Sequence, residues 1–207
     1  MSTLLHLDSS PLEGSVSREL GREFVKTWKA GHPEGHVIYR DLALLAPQPV
    51  NATWIGAAYT PEDARTGEQN AALALSDELI RELEQADEYV IGVAMHNFSI
   101  PSVLKLWVDQ ISRVGKTFSY GEYGPKGLLL NKKATLLVAT GGVYEPGTPL
   151  GALNFAEPYL RAVLGFLGVK EVILVNAAGT SALRQPATDR TQFLEPLLDQ
   201  ARTAAAV

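Results

Sequence analysis

The 207-residue sequence predicts an α/β fold, with one doubly wound, five-stranded parallel sheet and helices on both of its faces. Apolar runs of strand length alternate with longer segments in which apolar residues recur every three or four positions. Residues 89–94, 134–138 and 172–175 are apolar almost throughout, which is typical of strands covered on both faces. The composition, 46% hydrophobic and 20% charged, is that of a globular protein, and we expect a single domain spanning residues 1–207.

Five segments have the length and composition of strands: residues 3–7, 36–41, 88–95, 134–140 and 171–176. Five helical patterns follow them, and each carries an apolar stripe that we expect to face the sheet. These stripes are Leu20, Phe24 and Trp28; Leu73, Ile80 and Leu83; Leu104, Val108 and Ile111; Tyr159, Val163 and Phe166; and Phe193 and Leu197. The alanine-rich tail at residues 204–206 is expected to fray.

Residues 42–67 depart from this alternation, since they contain three prolines and no clear period. Structureless segments of this length are uncommon, and they are usually lids, interface arms or disordered. The apolar Trp54, Ile55 and Tyr59 argue against disorder.

Charge and composition exclude several classes of function. The net charge of −5 and the absence of a cluster of basic residues argue against a nucleic-acid partner. Without cysteine there is no disulfide, thiolate nucleophile or cysteine-bound metal, and we expect no metal site. No apolar run approaches the roughly 20 residues of a membrane-spanning helix. The amino-terminal segment does not resemble a signal peptide, so we expect a cytoplasmic protein without a membrane partner.

Ligands of doubly wound sheets bind beyond the carboxyl ends of the strands, where the strand order reverses. After the first predicted strand, residues 8–18 carry four serines that lead into a helix, and such a helix amino terminus attracts anions. The same residues also suit an ordinary turn and helix cap. Neither G-x-x-x-x-G-K-[ST] nor G-x-G-x-x-G occurs here. The loop therefore suits one terminal phosphate, held largely by neutral donors.

The loops after the third and fourth predicted strands offer a different chemistry. The Asn97 amide supplies both a donor and an acceptor, as the pyrimidine edge of a flavin requires. Met95 and Phe98 offer polarisable and aromatic surface to a planar ring. Gly141 and Gly142 allow the backbone to approach a ligand closely. Taken singly, each loop also has an ordinary structural explanation.

Several blocks, in order along nearly the whole chain, resemble the FMN-dependent NADH-azoreductase and NADH:quinone oxidoreductase family of bacteria, which has a flavodoxin-like fold. The blocks are LDSS at 7–10, the serines at 15 and 17, LALSDELI at 73–80, MHNF at 95–98, GKTFSY at 115–120, GPKGL at 124–128, the glycines at 141 and 142, PYL at 158–160 and LGFLG at 164–168.

This resemblance implies roles for matching positions. The residues that would hold the FMN phosphate are Ser10, Ser15, Val16 and Ser17. Those that would line the isoalloxazine are Met95, His96, Asn97 and Phe98, and those that would approach its pyrimidine and N5 edge are Thr140, Gly141 and Gly142. It also implies hydride transfer from NADH or NADPH through FMN to quinones or azo compounds, in a ping-pong cycle. The active site would lie at a homodimer interface, where residues 42–67 and 118–120 would cover the partner's flavin.

The chain departs from the family pattern at His96, where tyrosine is usual, at Ala94, where proline is usual, and at the pair Ala139-Thr140. A histidine beside the flavin is a possible proton donor, since its ordinary pKa is about 6.5, or else a passive packing residue. An alternative class is a flavodoxin-type electron carrier for protein partners, although those are shorter, more acidic and lack the long segment. A hydrolase is disfavoured because G-x-S-x-G is absent.

Overall fold

Five of the seven strands in residues 2–207, the part of the chain described by the computed structural model, form one parallel sheet. Along the chain the strands are β1 (Thr3–Asp8), β2 (His36–Asp41), β3 (Glu88–Ala94), β4 (Phe118–Gly121), β5 (Gly124–Gly127), β6 (Lys133–Ala139) and β7 (Glu171–Ala177). The α-helices are α1 (Val16–Gly31), α2 (Ala52–Tyr59), α3 (Gly67–Gln85), α4 (Ser102–Ile111), α5 (Glu157–Leu167) and α6 (Arg190–Ala205).

The strand order in the main sheet is β2-β1-β3-β6-β7, and every neighbouring pair is parallel. From β1 the chain moves outwards to β2 and then crosses to β3 on the opposite side of β1. The order therefore reverses between β1 and β3, which makes the loops after these strands the switch point. The predicted fold class, a flavodoxin-like doubly wound sheet, is confirmed.

Helices cover both faces of the sheet, because successive residues of a strand point to opposite sides. In β3, Val90 packs with α1 and α6, whereas Tyr89, Ile91 and Val93 pack with α3, α4 and α5. The predicted stripes of α1, α3 and α4 are buried. Among residues 2–207, no helix has the length and apolar character that crossing a membrane requires.

Three detailed predictions were wrong. In α5 the buried residues are Leu160, Leu164 and Leu167, whereas Phe166 is 41% exposed and packs on Phe118. Two overlapping apolar stripes run along α5, and its sequence does not distinguish them. Most of the alanine tail is not free, because α6 continues to Ala205 and buries Ala204 and Ala205 against the sheet, whereas Ala206 is exposed. Strand β7 lies at an edge of the sheet and is only partly covered.

Residues 42–67 are ordered and contain α2, which the sequence pattern did not predict. The Asn51 side chain caps this helix by accepting from the Trp54 N–H at 2.9 Å. The Trp54 indole donates to Gln110 Oε1 at 2.8 Å, and the Gln110 amide donates to the Gln48 carbonyl at 2.8 Å. These bonds hold the segment against α4. The hairpin of β4 and β5 is a second element that the pattern missed.

Candidate functional site

The loops after β1, β3 and β6 lie side by side at the carboxyl edge of the sheet. The Ser9 hydroxyl of the first loop donates to the Gly92 carbonyl of β3 at 2.6 Å. The Met95 N–H donates to the Ala139 carbonyl of β6 at 2.9 Å. The Phe98 ring meets the Tyr144 ring edge to face, with centroids 6.2 Å apart. The structure thus brings the predicted site residues of all three loops to one edge.

The amino terminus of α1 offers main-chain donors to an anion. Its cap residue, Ser15, makes no side-chain capping bond, and its hydroxyl lies instead 3.0 Å from that of Ser17. Among residues 2–207 the N–H groups of Val16, Ser17 and Arg18 have no acceptor. Unpaired N–H groups and the helix dipole both favour a negative charge at this position. The loop therefore fits the phosphate of FMN.

The four predicted phosphate residues differ in accessibility. Ser15 is partly exposed, whereas Ser10 and Ser17 are closed to solvent. The Val16 side chain belongs to the core, so only its main chain can serve a ligand. Direct contact between a phosphate and the hydroxyls of Ser10 and Ser17 stays a prediction.

A network of ionised and polar groups lies behind this loop, in which the Arg18, Asp8 and Asp41 side chains are largely buried and Tyr39 is exposed. The Arg18 guanidinium donates twice to the Ser10 carbonyl, from Nε at 2.9 Å and from Nη2 at 2.7 Å. It also pairs with Asp8 at 3.3 Å and with Asp41 at 2.7 Å. The Tyr39 hydroxyl donates to Asp8 Oδ2 at 3.0 Å. We call these five residues the Arg18 network.

The electrostatics of the network shift the pKa values of Asp8 and Tyr39. Burial alone would raise the pKa of Asp8, but neighbouring His6, Tyr39 and Arg18 hold it below its ordinary value. Burial and the Asp8 carboxylate raise the pKa of Tyr39 to about 12, so its hydroxyl remains a donor. At 3.7 Å the nearest atoms of His6 and Asp8 are too far apart for a hydrogen bond.

The loop after β3 is a tight turn with an unusual backbone. His96 and Ser99 exchange two main-chain hydrogen bonds of 2.9 and 3.0 Å. Asn97 and Phe98 between them have φ values of 47° and 73°. Two-residue turns of this type require positive φ at both central positions, which asparagine tolerates and phenylalanine rarely adopts. The turn projects the Asn97 amide and the Phe98 ring into solvent, where Phe98 is 43% exposed.

The loop after β6 leaves its amides open while its carbonyls are bonded. The Gly141 and Gly142 carbonyls accept from the Ser181 and Gly179 N–H groups at 3.1 and 3.0 Å. Among residues 2–207 neither glycine N–H has an acceptor. A Cβ built on Gly141 would meet nothing within 4 Å, so open space lies beside it. Thr140 is buried and bonds to its own loop. The loop fits a planar ring that needs hydrogen-bond donors.

His96 is exposed on the rim of a cavity of about 310 Å³ between the first and second loops. The other lining residues are uncharged: Ser9, Pro11, Ala43, Pro101, Ser102 and Val103. A role for His96 as proton donor stays a prediction. Within residues 2–207 no three His, Asp or Glu side chains are grouped closely enough to hold a metal ion.

The fold and the site define a protein of the flavodoxin-like class, and residues 2–201 match the family model described as flavodoxin-like fold. The chain is 63% identical over 206 residues to the FMN-dependent NADH:quinone oxidoreductase of Acidobacterium capsulatum, with 100% of each chain covered. It also resembles the crystal structure of azoreductase from Bacillus anthracis str. Sterne, with a TM-score of 0.89 and 30% identity over 100% of this chain and 99% of that one. An FMN-dependent NADH-azoreductase from Bacillus anthracis str. Ames Ancestor, in complex with FMN, matches with a TM-score of 0.87 and 26% identity, covering 100% of this chain and 98% of that one. The chain belongs to the FMN-dependent NADH:quinone oxidoreductase family.

Sequence reasoning missed the Arg18 network, apart from placing Asp8 and Arg18 at the two ends of the phosphate loop. A signal was present, since Asp8 ends β1 and Asp41 ends β2, and parallel neighbours bring such ends together. Nothing in the sequence indicated that Arg18 bonds to the Ser10 carbonyl.

Proposed function

We propose that this chain binds FMN at the carboxyl edge of its sheet and uses it to reduce quinones and azo compounds with NADH or NADPH. The observation that supports this proposal is that the open N–H groups at the amino terminus of α1 lie at the same edge of the sheet as the loops after β3 and β6. The names of the similar proteins support the same activity.

At the phosphate end, the open N–H groups of Val16, Ser17 and Arg18 would bind the phosphate of FMN, together with the Ser15 hydroxyl. All of these groups are neutral donors, and the only positive charge comes from the dipole of α1. Their geometry is fixed before the ligand arrives, because α1 packs on the sheet through Leu20 and Phe24. Binding there costs little reorganisation.

At the ring end, FMN when bound would supply two-electron redox chemistry between a reduced nicotinamide and the acceptor. The N–H groups of Gly141 and Gly142 and the Asn97 amide would donate to the pyrimidine edge, where negative charge accumulates on reduction. Phe98 and Met95 supply apolar surface. The reaction needs no acid–base pair of the protein for hydride transfer.

An anaerobic titration of the FMN-loaded protein with NADH, followed through the yellow flavin band, tests this function. We expect rapid bleaching in one two-electron phase and recovery of colour when a quinone or an azo dye is added. NADPH is the second donor to be titrated. Failure of the protein to retain FMN would exclude the proposal. Retained FMN that neither donor bleaches would instead favour an electron carrier for protein partners.

We also propose that the protein is a homodimer whose active site is completed by the partner. The support is a set of exposed apolar side chains near the carboxyl edge and on the segments that the family resemblance assigns to the interface. They include Leu44 at 79% exposure, Tyr59 at 76% and Tyr120 at 73%.

Because the proposed donor is a reduced nicotinamide, we place the protein in the cytoplasm, which cell fractionation can check.

Light scattering of Leu44→Lys tests the dimer. Leu44 follows β2, and a lysine there would bury a charge at the proposed interface, so we expect the molar mass to fall towards that of one chain. The matched control is Leu130→Lys, which changes another exposed leucine (51%) just before β6, at the opposite end of the sheet. The proposed interface would be contradicted if Leu44→Lys and Leu130→Lys both kept the molar mass of a dimer. It would also be contradicted if the two variants dissociated equally.

A further inference from the structure

Arg18 lies in the first turn of α1, beside the proposed phosphate site. Its guanidinium nevertheless donates its hydrogen bonds to acceptors of the protein. Its Nε and Nη2 atoms donate to the Ser10 carbonyl, and Nη2 also donates to Asp41. Nη1 lies within 3.3 Å of both Asp8 Oδ2 and the Tyr39 hydroxyl. The side chain is 11% exposed. A cation at this position would ordinarily be assigned to the phosphate, and these contacts indicate another role.

The two bonds to the Ser10 carbonyl fix the orientation of one peptide group in the phosphate loop. The next residue is Pro11, which has a fixed φ and no N–H, and which restricts the conformation of Ser10 as well. A carbonyl oxygen that faced the anion would repel it. Held by Arg18, the Ser10 carbonyl is directed to a cation, and the neighbouring N–H groups of α1 remain open.

The carboxylates around Arg18 limit its direct attraction to phosphate. Asp8 and Asp41 are both paired with the guanidinium, so the cation is offset by two nearby carboxylates. Asp8 is buried, and a Cβ on Gly92 would lie 2.8 Å from its Oδ1, so the absence of a side chain there makes room for the carboxylate. The Asp8 carboxylate is therefore packed in place behind the loop.

We propose that Arg18 is a positioning residue for the flavin phosphate: it acts through the Ser10 carbonyl to set the shape of the phosphate loop, and not through its own charge on the phosphate. This inference rests on the proposed function, because it requires that the loop binds FMN. It predicts that Arg18 controls the preference for FMN over riboflavin, which has the same ring and no phosphate.

The test is the affinity of the apo-protein for FMN and for riboflavin, measured by quenching of flavin fluorescence. For Arg18→Met we expect FMN affinity to fall at least ~10-fold and riboflavin affinity to change by less than ~3-fold, since charge-assisted hydrogen bonds are lost only behind the phosphate loop. For Arg18→Lys we expect a similar loss of FMN affinity, because one ammonium cannot reproduce the paired bonds to Ser10.

The matched control is Arg22→Met, which removes an exposed cation one turn along the same helix. It should leave both flavin affinities within about twofold of the wild type. Thermal unfolding of each apo-protein reports whether it is folded, and Arg18→Lys decides the question if Arg18→Met does not fold.

Four outcomes separate the possibilities. Equal losses of FMN and riboflavin affinity would give Arg18 a general structural role and overturn the proposal. Full FMN affinity in Arg18→Lys would show that charge alone matters and would also overturn it. A wild-type protein that binds neither flavin would exclude the proposed function itself. A wild-type protein that binds both flavins equally would exclude only the assignment of the first loop as a phosphate site.

Discussion

The two ends of the proposed flavin site are built in opposite ways. At the phosphate end, Ser10 and Ser17 are buried and Arg18 fixes the loop with a network of hydrogen bonds. At the ring end, Asn97 and Phe98 are exposed and adopt backbone conformations that L-residues rarely adopt. One end is organised within a single chain, and the other presents exposed apolar surface.

This difference has a physical reason. A phosphate can be held by donors of the loop alone, so the chain can organise that end in advance. A planar ring needs one open face for the donor and the acceptor in turn, so its surroundings must stay accessible. Backbone strain in the Asn97-Phe98 turn persists because surrounding bonds fix it, including the one from the Phe155 N–H to the Phe98 carbonyl at 2.9 Å.

Asp8→Asn should have the larger effect, because it changes a buried charge at the organised end. The variant removes one of the two carboxylates paired with Arg18, so we expect the free energy of unfolding at pH 7 to fall by about 2 kcal/mol. The control is Asp199→Asn, which removes a carboxylate paired with Arg202 on the surface and should cost less than about 0.5 kcal/mol. Urea unfolding measures the free energy of unfolding of both variants. Equal losses in the two variants would contradict a stabilising role for the Arg18 network.

The same variant should change the dependence of stability on pH. The pKa of Asp8 is lower in the folded protein than its ordinary value of 3.8, so its ionised form stabilises the fold above that pH. This contribution is lost as the pH falls through the folded pKa. We therefore expect wild-type stability to decline below pH ~4, with a shallower decline in Asp8→Asn.

Asn97→Gly should have a smaller effect, confined to the open end. Glycine accepts the positive φ of 47° and deletes only the amide, so we expect FMN affinity to fall by about tenfold while the apo-protein keeps its stability within ~1 kcal/mol. Flavin fluorescence and urea unfolding measure the two quantities. Asn131→Gly is the matched control, since Asn131 also has a positive φ, of 59°, and precedes β6 at the far end of the sheet. If both variants bind FMN like the wild type, Asn97 does not contact the flavin.

Much of the fold was predictable because it depends on local patterns. The apolar runs of β3 and β6 and the stripe of Leu20, Phe24 and Trp28 indicate which residues face the core, and the structure agrees. The family resemblance and the reductase class that it implied are confirmed by the comparisons. The candidate site residues were predicted to lie on three loops, and the structure shows that these loops lie side by side at the carboxyl edge of the sheet.

The sequence by itself determined the alternation of strands and helices, the doubly wound class of sheet and the edge at which a ligand would bind, because hydrophobic period and the succession of elements are properties of the chain. Only the tertiary structure decided the burial of Leu160 in place of Phe166, the helix within residues 42–67 and the Arg18 network. Each of these depends on which distant residue lies opposite, and local periodicity carries no information about that partner.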